Sequence, residues 1–290
     1  MDVTIVRRGT AAYPPLLAQL HDPPPLLHLR GGASPELLAQ PCVAVVGARS
    51  CSHYGAEVAR MLGRELAAAG VVVVSGLARG IDGEAHRGAL ASRGPTVAVL
   101  GCGIDRDYPR SHAALARRLC ETGLLVSEYP PGVEPSPWRF PARNRIIAGL
   151  CAATIVVEAR ERSGALITAD FALELGRDVF AVPGEITAAR SAGTNNLLRQ
   201  GAAPLLGVDD VLEAIGVERA PLSPTAVSAS AGKLLEALAD RPQGADELTR
   251  VCGWEGARVS AALVELELAG LVSEADGVYR CRPDRPVLAR

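Results

Sequence analysis

Arginine is concentrated in one stretch of this 290-residue chain that contains no acidic residue. Between Pro135 and Val157 the sequence places Arg139, Arg143 and Arg145, although the whole chain carries a formal net charge of -2. A guanidinium pairs with a phosphate through two parallel hydrogen bonds, and its flat face stacks on rings or bases. A solvated face whose arginines pair with distant carboxylates has the same composition. We interpret the stretch as an anion-binding pocket, because glycine-bearing loops elsewhere in the chain could converge on it.

Those loops each follow a predicted strand, and most of them open a helix. A helix N-terminus carries partial positive charge, so such a loop suits an anion. Arg49 and Arg79 lie in the first two loops, and Asn195 in the last supplies a side-chain donor. Together with the arginine-rich stretch they predict a pocket for nucleic acid. The loops are residues 47–55, 75–83, 101–103, 163–168 and 183–197.

Motifs that would indicate a reaction centre are absent from the sequence. The first loop departs from the G-x-G-x-x-G spacing of dinucleotide sites, and no metal-ligand spacing or nucleophile elbow occurs. We interpret Asp82, Glu128 and Glu158 as caps and strand-end residues, and His86 as a surface or core histidine. The sequence therefore predicts a binding site with no catalytic residue, no metal and no cofactor.

The fold is predicted by six short aliphatic runs that alternate with helical segments. Continuous apolar strands between helices are typical of a parallel sheet covered on both faces. We predict an α/β, Rossmann-like, doubly wound and mostly parallel sheet over residues 41–217, with ligands outside the carboxyl ends of its strands. The runs begin at Val43, Val71, Thr96, Leu124, Ala153 and Asp178.

Two further segments flank this domain. Residues 1–40 contain several prolines, so we predict an irregular, extended segment packed on the sheet domain. Residues 218–230 are predicted to form a linker. Residues 231–290 are predicted to form a winged helix-turn-helix, because three helical segments precede a hairpin with the Asp-Gly pair that favours tight turns.

The charge of the predicted winged helix is unusual for a duplex reader. From Thr225 to Arg282 there are six basic and nine acidic residues, whereas duplex-binding helices normally gather positive charge. We hypothesise that this module contacts protein or the sister domain. Tight duplex binding by the isolated residues 225–290 at physiological salt would contradict that hypothesis.

Composition and sequence pattern indicate the cellular compartment in which the protein works. Seven dispersed cysteines without a C-x-x-C pair are typical of reduced, mostly buried thiols. No signal pattern begins the sequence, and no apolar run approaches the ~18 residues that a membrane span requires. We predict a cytoplasmic protein with no membrane contact. The sequence pI is about 6.2, so nucleic-acid binding must come from a local patch.

Five motifs in order, with Tyr13-Pro and Pro24-Pro-Leu-Leu27 ahead of them, make the chain resemble the DNA-processing protein A family, also called DprA or Smf. The resemblance covers roughly residues 13 to 215, and the winged helix matches the family's usual C-terminal module. The motifs are Val45-Val-Gly-Ala-Arg49, Ser75-Gly-Leu-Ala-Arg-Gly-Ile-Asp82, Phe140-Pro-Ala-Arg-Asn-Arg-Ile-Ile147, Ser163-Gly-Ala-Leu-Ile-Thr-Ala169 and Gly193-Thr-Asn-Asn-Leu197.

The resemblance implies a recombination mediator that binds single-stranded DNA, protects incoming strands, forms a homodimer and loads the recombinase RecA during natural transformation (competence). The helical N-terminal domain of many members is not recognised in this chain. By the resemblance, Arg143 lies at the heart of the DNA pocket, and Arg143→Ala should weaken binding by ~1–3 kcal/mol. The implied DNA-binding residues are Arg49, Ser75, Gly76, Arg79, Phe140, Arg143, Asn144, Arg145, Ser163, Gly164, Thr168 and Asn195.

Two other functions are compatible with the sequence. The first is a Rossmann-like nucleotide phosphoribohydrolase, which would release a free base from a nucleoside monophosphate. Those enzymes carry a Pro-Gly-Gly-x-Gly-Thr-x-x-Glu loop, which the segment from Ser163 to Ala169 does not supply. The second is a transcription regulator that reads duplex DNA with its winged helix, and the acidic balance of that module argues against it.

Overall fold

The computed structural model describes residues 3–218, 227–275 and 277–281. The chain divides into two compact units, Met1–Glu218 and Arg219–Arg290. Most of the predicted linker, residues 219–226, lies outside the described residues, as do residues 282–290 of the predicted winged helix.

The first unit contains nine strands and seven α-helices among its described residues. The strands are β1 (Thr4–Arg7), β2 (Leu26–Gly31), β3 (Cys42–Val46), β4 (Val72–Ser75), β5 (Thr96–Val99), β6 (Leu124–Ser127), β7 (Ala153–Val156), β8 (Asp178–Ala181) and β9 (Ala203–Pro204). The helices are α1 (His53–Ala68), α2 (Ile81–Ala91), α3 (Ala113–Thr122), α4 (Arg139–Leu150), α5 (Gly164–Glu174), α6 (Ala192–Arg199) and α7 (Val208–Ala214).

One sheet joins the nine strands in the order β1-β2-β6-β5-β4-β3-β7-β8-β9. The strands from β6 to β9 in this order are all parallel. The chain moves from β3 in one direction to β4, β5 and β6, and later returns to the other side of β3 as β7. Adjacent β3 and β7 therefore form the switch point, where open α/β sheets bind ligands. The prediction of a Rossmann-like, doubly wound, mostly parallel sheet is confirmed.

Both faces of the sheet are buried, which explains the continuous apolar strands. In β3, Ala44 and Val46 pack on the face that also receives α4 and α5, whereas Val43 and Val45 pack with α1 and α2 on the other face. Successive side chains of a strand point to opposite faces, so a central strand buries side chains on both faces and is mostly apolar. All five residues of β3 are buried.

The irregular path predicted for residues 1–40 is wrong in part. β1 and β2 pair antiparallel, and β2 extends the sheet by pairing antiparallel with β6. The proline run at residues 23–25 ends just before β2 and does not interrupt it. The side chains of Leu27 and Leu29 in β2 are buried in the core of the sheet. The hydroxyl of Tyr13 donates to the carbonyl oxygen of Pro24 over 2.7 Å. The prediction gave the prolines more weight than the apolar run that follows them.

Arg177 anchors the N-terminal segment and the end of α4 together. Its Nη1 donates to the carbonyl oxygens of Ala148, Gly149 and Cys151, and its Nη2 donates to that of Leu16. A helix leaves its last carbonyls without partners, so a cation there satisfies hydrogen bonds and opposes the helix dipole. This contact holds the C-terminal end of α4, whose N-terminal half lies at the switch point.

The second unit has the elements of a winged helix. They are α8 (Ala229–Ala239), β10 (Gln243–Gly244), α9 (Ala245–Cys252), α10 (Gly256–Leu268), β11 (Val272–Ala275) and β12 (Val278–Cys281). The three strands form a sheet in the order β10-β12-β11. Leu234, Val259, Leu263 and Leu266 meet in its core. The predicted C-terminal winged helix is confirmed as part of the fold class.

Two composition-based expectations bear on the structure. All seven cysteines are free, and four of them, Cys42, Cys102, Cys120 and Cys151, are buried. Burial raises the pKa of Cys42 to about 12, so this thiol stays protonated. Within the part of the chain that the structure describes, no helix combines the length and the apolar character needed to cross a membrane.

Candidate nucleic-acid interface

A cleft of about 340 Å³, which we call the basic cleft, opens at the carboxyl ends of β3 and β7. Its walls are the β3–α1 loop, the first turns of α4, and the β7–α5 loop that leads into α5. The described lining residues include Gly47, Arg49, Ser50, Ala78, Asp82, Phe140, Arg143, Asn144, Arg160, Arg162, Ser163, Gly164 and Thr168.

Three exposed arginines make the rim of this cleft positive. Arg49 follows β3, and Arg160 and Arg162 follow β7. The N-terminus of α5 adds its partial positive charge, with Ser163 as the N-cap whose Oγ accepts from the backbone N–H of Ala165 at 3.3 Å. Asp82 is the one acidic side chain among the described residues that line the cleft. The cleft can therefore receive a phosphate at its rim.

An aromatic and cationic stack forms one wall. The rings of Tyr108 and Phe140 lie 5.4 Å apart at an angle of 22°, and the guanidinium of Arg49 lies 5.2 Å from the centre of the Phe140 ring. A cation over a ring is attracted by its quadrupole, which orients Arg49 before any ligand arrives. A smaller cavity of about 70 Å³, the inner pocket, lies behind this stack and is lined by Arg79 and Gly76.

Arg143 lies in the floor of the cleft, where 4% of its surface is exposed. Its Nη1 donates to the carbonyl oxygens of Gly76, at 2.9 Å, and Val99, so α4 is tied to the ends of β4 and β5. Burial lowers the pKa of Arg143 to about 10, and nearby Asp82 partly offsets that effect. The DNA contact predicted for Arg143 stays a prediction. Its Nη1 is bonded to backbone carbonyl oxygens, and its side chain lines both the basic cleft and the inner pocket.

Asp82 and Gly76 complete this buried arrangement. The carboxylate of Asp82 accepts from the backbone N–H of Gly76 at 3.1 Å and of Ala78 at 3.4 Å. Burial raises the pKa of Asp82, and the charge of Arg143 opposes the rise. A Cβ on residue 76 would clash with the guanidinium of Arg143 and the carboxylate of Asp82, so a larger residue there would displace this pair. Asp82 therefore caps two backbone amides of the β4–α2 loop.

Asn144 joins two walls of the cleft. Its Nδ2 donates to the carbonyl oxygen of Gly164 over 3.0 Å, and its Oδ1 accepts from Nε of Arg143 at 3.3 Å. The start of α5 is therefore held against α4. Thr168 is buried one turn further along α5 and also lines the cleft.

Arg145 lies outside both cavities. Its Nη1 and Nη2 contact Oε1 and Oε2 of Glu128 at 3.2 and 2.8 Å, and Asp22 is 3.9 Å away. Two positions along a helix correspond to a rotation of about 200°, so the side chains of Arg143 and Arg145 leave α4 in nearly opposite directions. Glu128, predicted to be a strand-end residue, is the partner that neutralises this arginine.

Two more of the predicted contact residues line neither cavity. The hydroxyl of Ser75 is fully buried and donates to the carbonyl oxygen of Val45 over 2.6 Å. The side chain of Asn195 makes two hydrogen bonds to the backbone of Gly184, at 3.2 and 3.0 Å. Both side chains are bonded to the backbone of a neighbouring strand or loop. These hydrogen bonds direct them away from the cleft.

Sequence reasoning missed Arg160 and Arg162. Both stand in the short segment between β7 and Ser163, where the sequence reads Ala-Arg-Glu-Arg-Ser. The signal was available, because any cation that directly follows a strand of a parallel sheet reaches its carboxyl edge. The intervening Glu161 reduces the local charge, so the pair does not form a conspicuous positive run.

The chain combines a doubly wound sheet, which places ligand sites outside the carboxyl ends of its strands, with a winged helix. Residues 4–216 match the family model described as DNA recombination-mediator protein A, and residues 218–277 match that of the DprA winged helix domain. The chain belongs to the DNA recombination-mediator protein A family, and the resemblance found in the sequence is confirmed.

Relatives support the same assignment. Protein Smf of Escherichia coli is 41% identical over 279 residues, which cover 92% of this chain and 74% of that protein. The structure of DNA processing protein A from Streptococcus pneumoniae matches with a TM-score of 0.69 and 43% identity, covering 73% of this chain and 74% of that one. For DNA processing protein A from Helicobacter pylori, whose structure concerns its single-stranded DNA binding mode, the TM-score is 0.66 and the identity 30%, with 73% and 95% covered.

Proposed function

We propose that this protein binds single-stranded DNA in the basic cleft and acts as a recombination mediator without catalytic turnover. In this role it protects incoming single strands and loads the recombinase RecA during natural transformation, as a homodimer in the cytoplasm. The single-stranded DNA binding mode described for the Helicobacter pylori protein supports the choice of ligand. The family description supports the role in recombination.

The observation that carries the proposal is the charge and shape of the basic cleft. Arg49, Arg160 and Arg162 surround it, and the N-terminus of α5 points at the same space. The Phe140 ring offers a stacking surface beside the phosphate positions. Cations that follow the backbone and an aromatic ring that stacks on a base are the two elements of sequence-tolerant single-strand binding.

The experiment is a titration of a fluorescently labelled oligo-dT strand with the full chain, followed by fluorescence anisotropy at several salt concentrations. A duplex of equal length serves as competitor. We expect tight binding that strengthens as salt falls, because each phosphate contact releases counterions, and poor competition by the duplex. No binding at low salt would refute the proposal.

The phosphoribohydrolase alternative has a direct test of its own. In the basic cleft, Asp82 is held by two backbone amides and faces no second carboxylate among the described lining residues. An acid–base pair would need two such groups within reach of one substrate. We expect no release of free base from nucleoside monophosphates. Turnover that Asp82→Asn abolishes would place the protein among enzymes.

A further inference from the structure

A second cavity of about 600 Å³, which we call the side pocket, lies on the other side of the β3–α1 loop. It is bounded by the start of α1, by the end of β7 and by the β8–α6 loop, and it shares no described lining residue with the basic cleft. Its walls include Ser52, Tyr54, Glu158, Glu185 and Arg190.

The β8–α6 loop that forms one wall is held by hydrogen bonds along its length. The side chain of Asn195 accepts a hydrogen bond from the N–H of Gly184 and donates one to its carbonyl oxygen. Backbone bonds join Ala188 to Glu185 and Ser191 to Ala188, at 3.1 and 2.9 Å. A wall that is rigid before binding costs little ordering entropy when a ligand arrives.

The chemistry of the side pocket is opposite to that of the basic cleft. Glu158 is 5% exposed and accepts from the backbone N–H of Ser52 at 2.9 Å and from its hydroxyl. Each oxygen of a carboxylate can accept a second hydrogen bond. Glu185 adds another carboxylate, whereas Arg190 donates from Nε to the carbonyl oxygen of Ser50. With two carboxylates against one guanidinium, the side pocket has a net negative charge and favours a hydrogen-bond donor over a phosphate.

An aromatic ring stands at the same pocket. Tyr54, in the first turn of α1, is 54% exposed and lines the cavity. An exposed ring beside carboxylate acceptors matches a nucleobase that carries an amino group, because the ring can stack on the base while the carboxylate accepts from the amine. Thymine and uracil fit poorly, since carbonyl oxygens flank their one N–H donor and repel a carboxylate.

The two cavities are close enough to hold neighbouring parts of one strand. Ser50 lines the basic cleft and Ser52 lines the side pocket, and two residues of chain span at most ~7 Å. Successive nucleotides of a stacked strand are about 3.4 Å apart along its axis. One or two nucleotides therefore cover the distance between the two lining positions.

We infer that the side pocket is a base-binding subsite that takes an amino-bearing base, such as cytosine, from a strand whose phosphates lie in the basic cleft. This inference rests on the proposed single-strand binding and adds a base preference to it.

The test compares oligo-dC with oligo-dU of equal length at pH 7.5, by fluorescence anisotropy with the full chain. The two bases differ only at ring positions 3 and 4, where cytosine has an acceptor nitrogen and an amino group and uracil has an N–H and a carbonyl oxygen. We expect oligo-dC to bind about five- to tenfold tighter than oligo-dU. Tyr54→Ala should weaken the binding of both strands. Tyr54→Phe should bind them with wild-type affinity, because the aromatic ring is kept.

The variant Glu185→Gln tests the acceptor. Its amide can donate to the carbonyl at position 4 of uracil, so the ratio of the two affinities should fall towards one. Glu57→Gln is the matched control, because Glu57 is an exposed carboxylate on α1 that lines neither cavity and its replacement changes the net charge equally.

The possible outcomes separate the inference from the proposed function. A preference for oligo-dC that Glu185→Gln removes and Glu57→Gln retains supports the side pocket as a base subsite. Equal binding of both strands by the wild type overturns the inference and leaves single-strand binding intact, as does a preference that Glu185→Gln leaves unchanged. Failure of both strands to bind refutes the proposed function itself.

Discussion

Nη1 of Arg143 lies 2.9 Å from the carbonyl oxygen of Gly76 and donates a hydrogen bond to it. The same nitrogen donates to Val99, so the central cation of the arginine-rich stretch joins α4 to the ends of two strands. Its role in the site is to shape the floor of the basic cleft. We propose that ligand phosphates are contacted by the exposed Arg49, Arg160 and Arg162, which line the basic cleft.

Arg143→Ala should destabilise the fold. The substitution leaves the carbonyls of Gly76 and Val99 and the buried carboxylate of Asp82 without their cation, which should lower the unfolding free energy by ~2–4 kcal/mol. Urea unfolding measures this change, with Arg118→Ala, an exposed position on α3, as the control that should change the unfolding free energy by about 0.5 kcal/mol or less. A variant of wild-type stability whose only defect is weaker DNA binding would show that Arg143 meets the ligand directly.

Arg160→Ala and Arg162→Ala should each weaken binding of oligo-dT by about 1 kcal/mol without changing stability. Both side chains are exposed at the rim of the cleft, so they contribute charge to the ligand and little to the fold. The slope of log affinity against log salt should decrease by about 0.7 for each phosphate that the variant no longer neutralises. Arg118→Ala, an exposed position on α3, is the control. Equal effects of all three variants would mean that only net charge matters.

Phe140 should act through Arg49. Since the guanidinium of Arg49 lies 5.2 Å from the ring centre, Phe140→Leu frees this cation as well as removing a stacking surface. A double-mutant cycle of Phe140→Leu with Arg49→Ala should show a coupling of about 0.5–1 kcal/mol in single-strand affinity. The cycle of Phe140→Leu with Arg162→Ala should be additive. Additive effects in the first cycle would mean that the Phe140 ring does not position the guanidinium of Arg49 for DNA binding.

His86 should make stability depend on pH. Its Nδ1–H donates to Thr96 Oγ1, which itself donates to Val73, and burial lowers the pKa of His86 to about 3. The unfolded chain protonates this histidine near its ordinary pKa of 6.5, so the unfolding free energy falls as pH decreases from about 6.5 towards 3.

The slope is at most about 1.4 kcal/mol per pH unit for this one group. Urea unfolding between pH 7 and 5 measures it, and His86→Gln should flatten the dependence because glutamine does not titrate. An identical slope in the variant would assign the effect to other groups.

The winged helix should add little to duplex binding. Arg258 is the one basic residue of α10, and its guanidinium lies 4.3 Å from the Trp254 ring centre and donates to Ser230 Oγ. The outer face of the helix exposes Val264 and Leu268, at 52% and 86%. In Arg258→Ala, the concentration of duplex that displaces half of the bound oligo-dT should stay within twofold of the wild-type value. A tenfold weaker competition would mean that α10 reads duplex DNA.

The sequence by itself determined the parallel part of the sheet and the winged helix, although not the antiparallel β1 and β2. Strands buried on both faces require uninterrupted apolar runs, and six such runs between helical segments are sufficient to define a parallel, doubly wound sheet. The loops after those strands had to meet at one edge, so the positions of Arg49 and of the Ser163 cap followed from their place in the chain. The winged helix followed in the same way from three helical segments and a hairpin turn.

Only the tertiary structure decided which polar side chains are bonded within the fold. Arg143, Arg145 and Asn195 look alike as candidate donors in sequence, yet each bonds to residues far away in the chain, Gly76, Glu128 and Gly184. A helix turns by about 100° per residue, and the packing of α4 on the strand ends selects which cation is buried. Hydrogen-bond partners of a buried polar group are set by these long-range contacts, which local patterns do not encode.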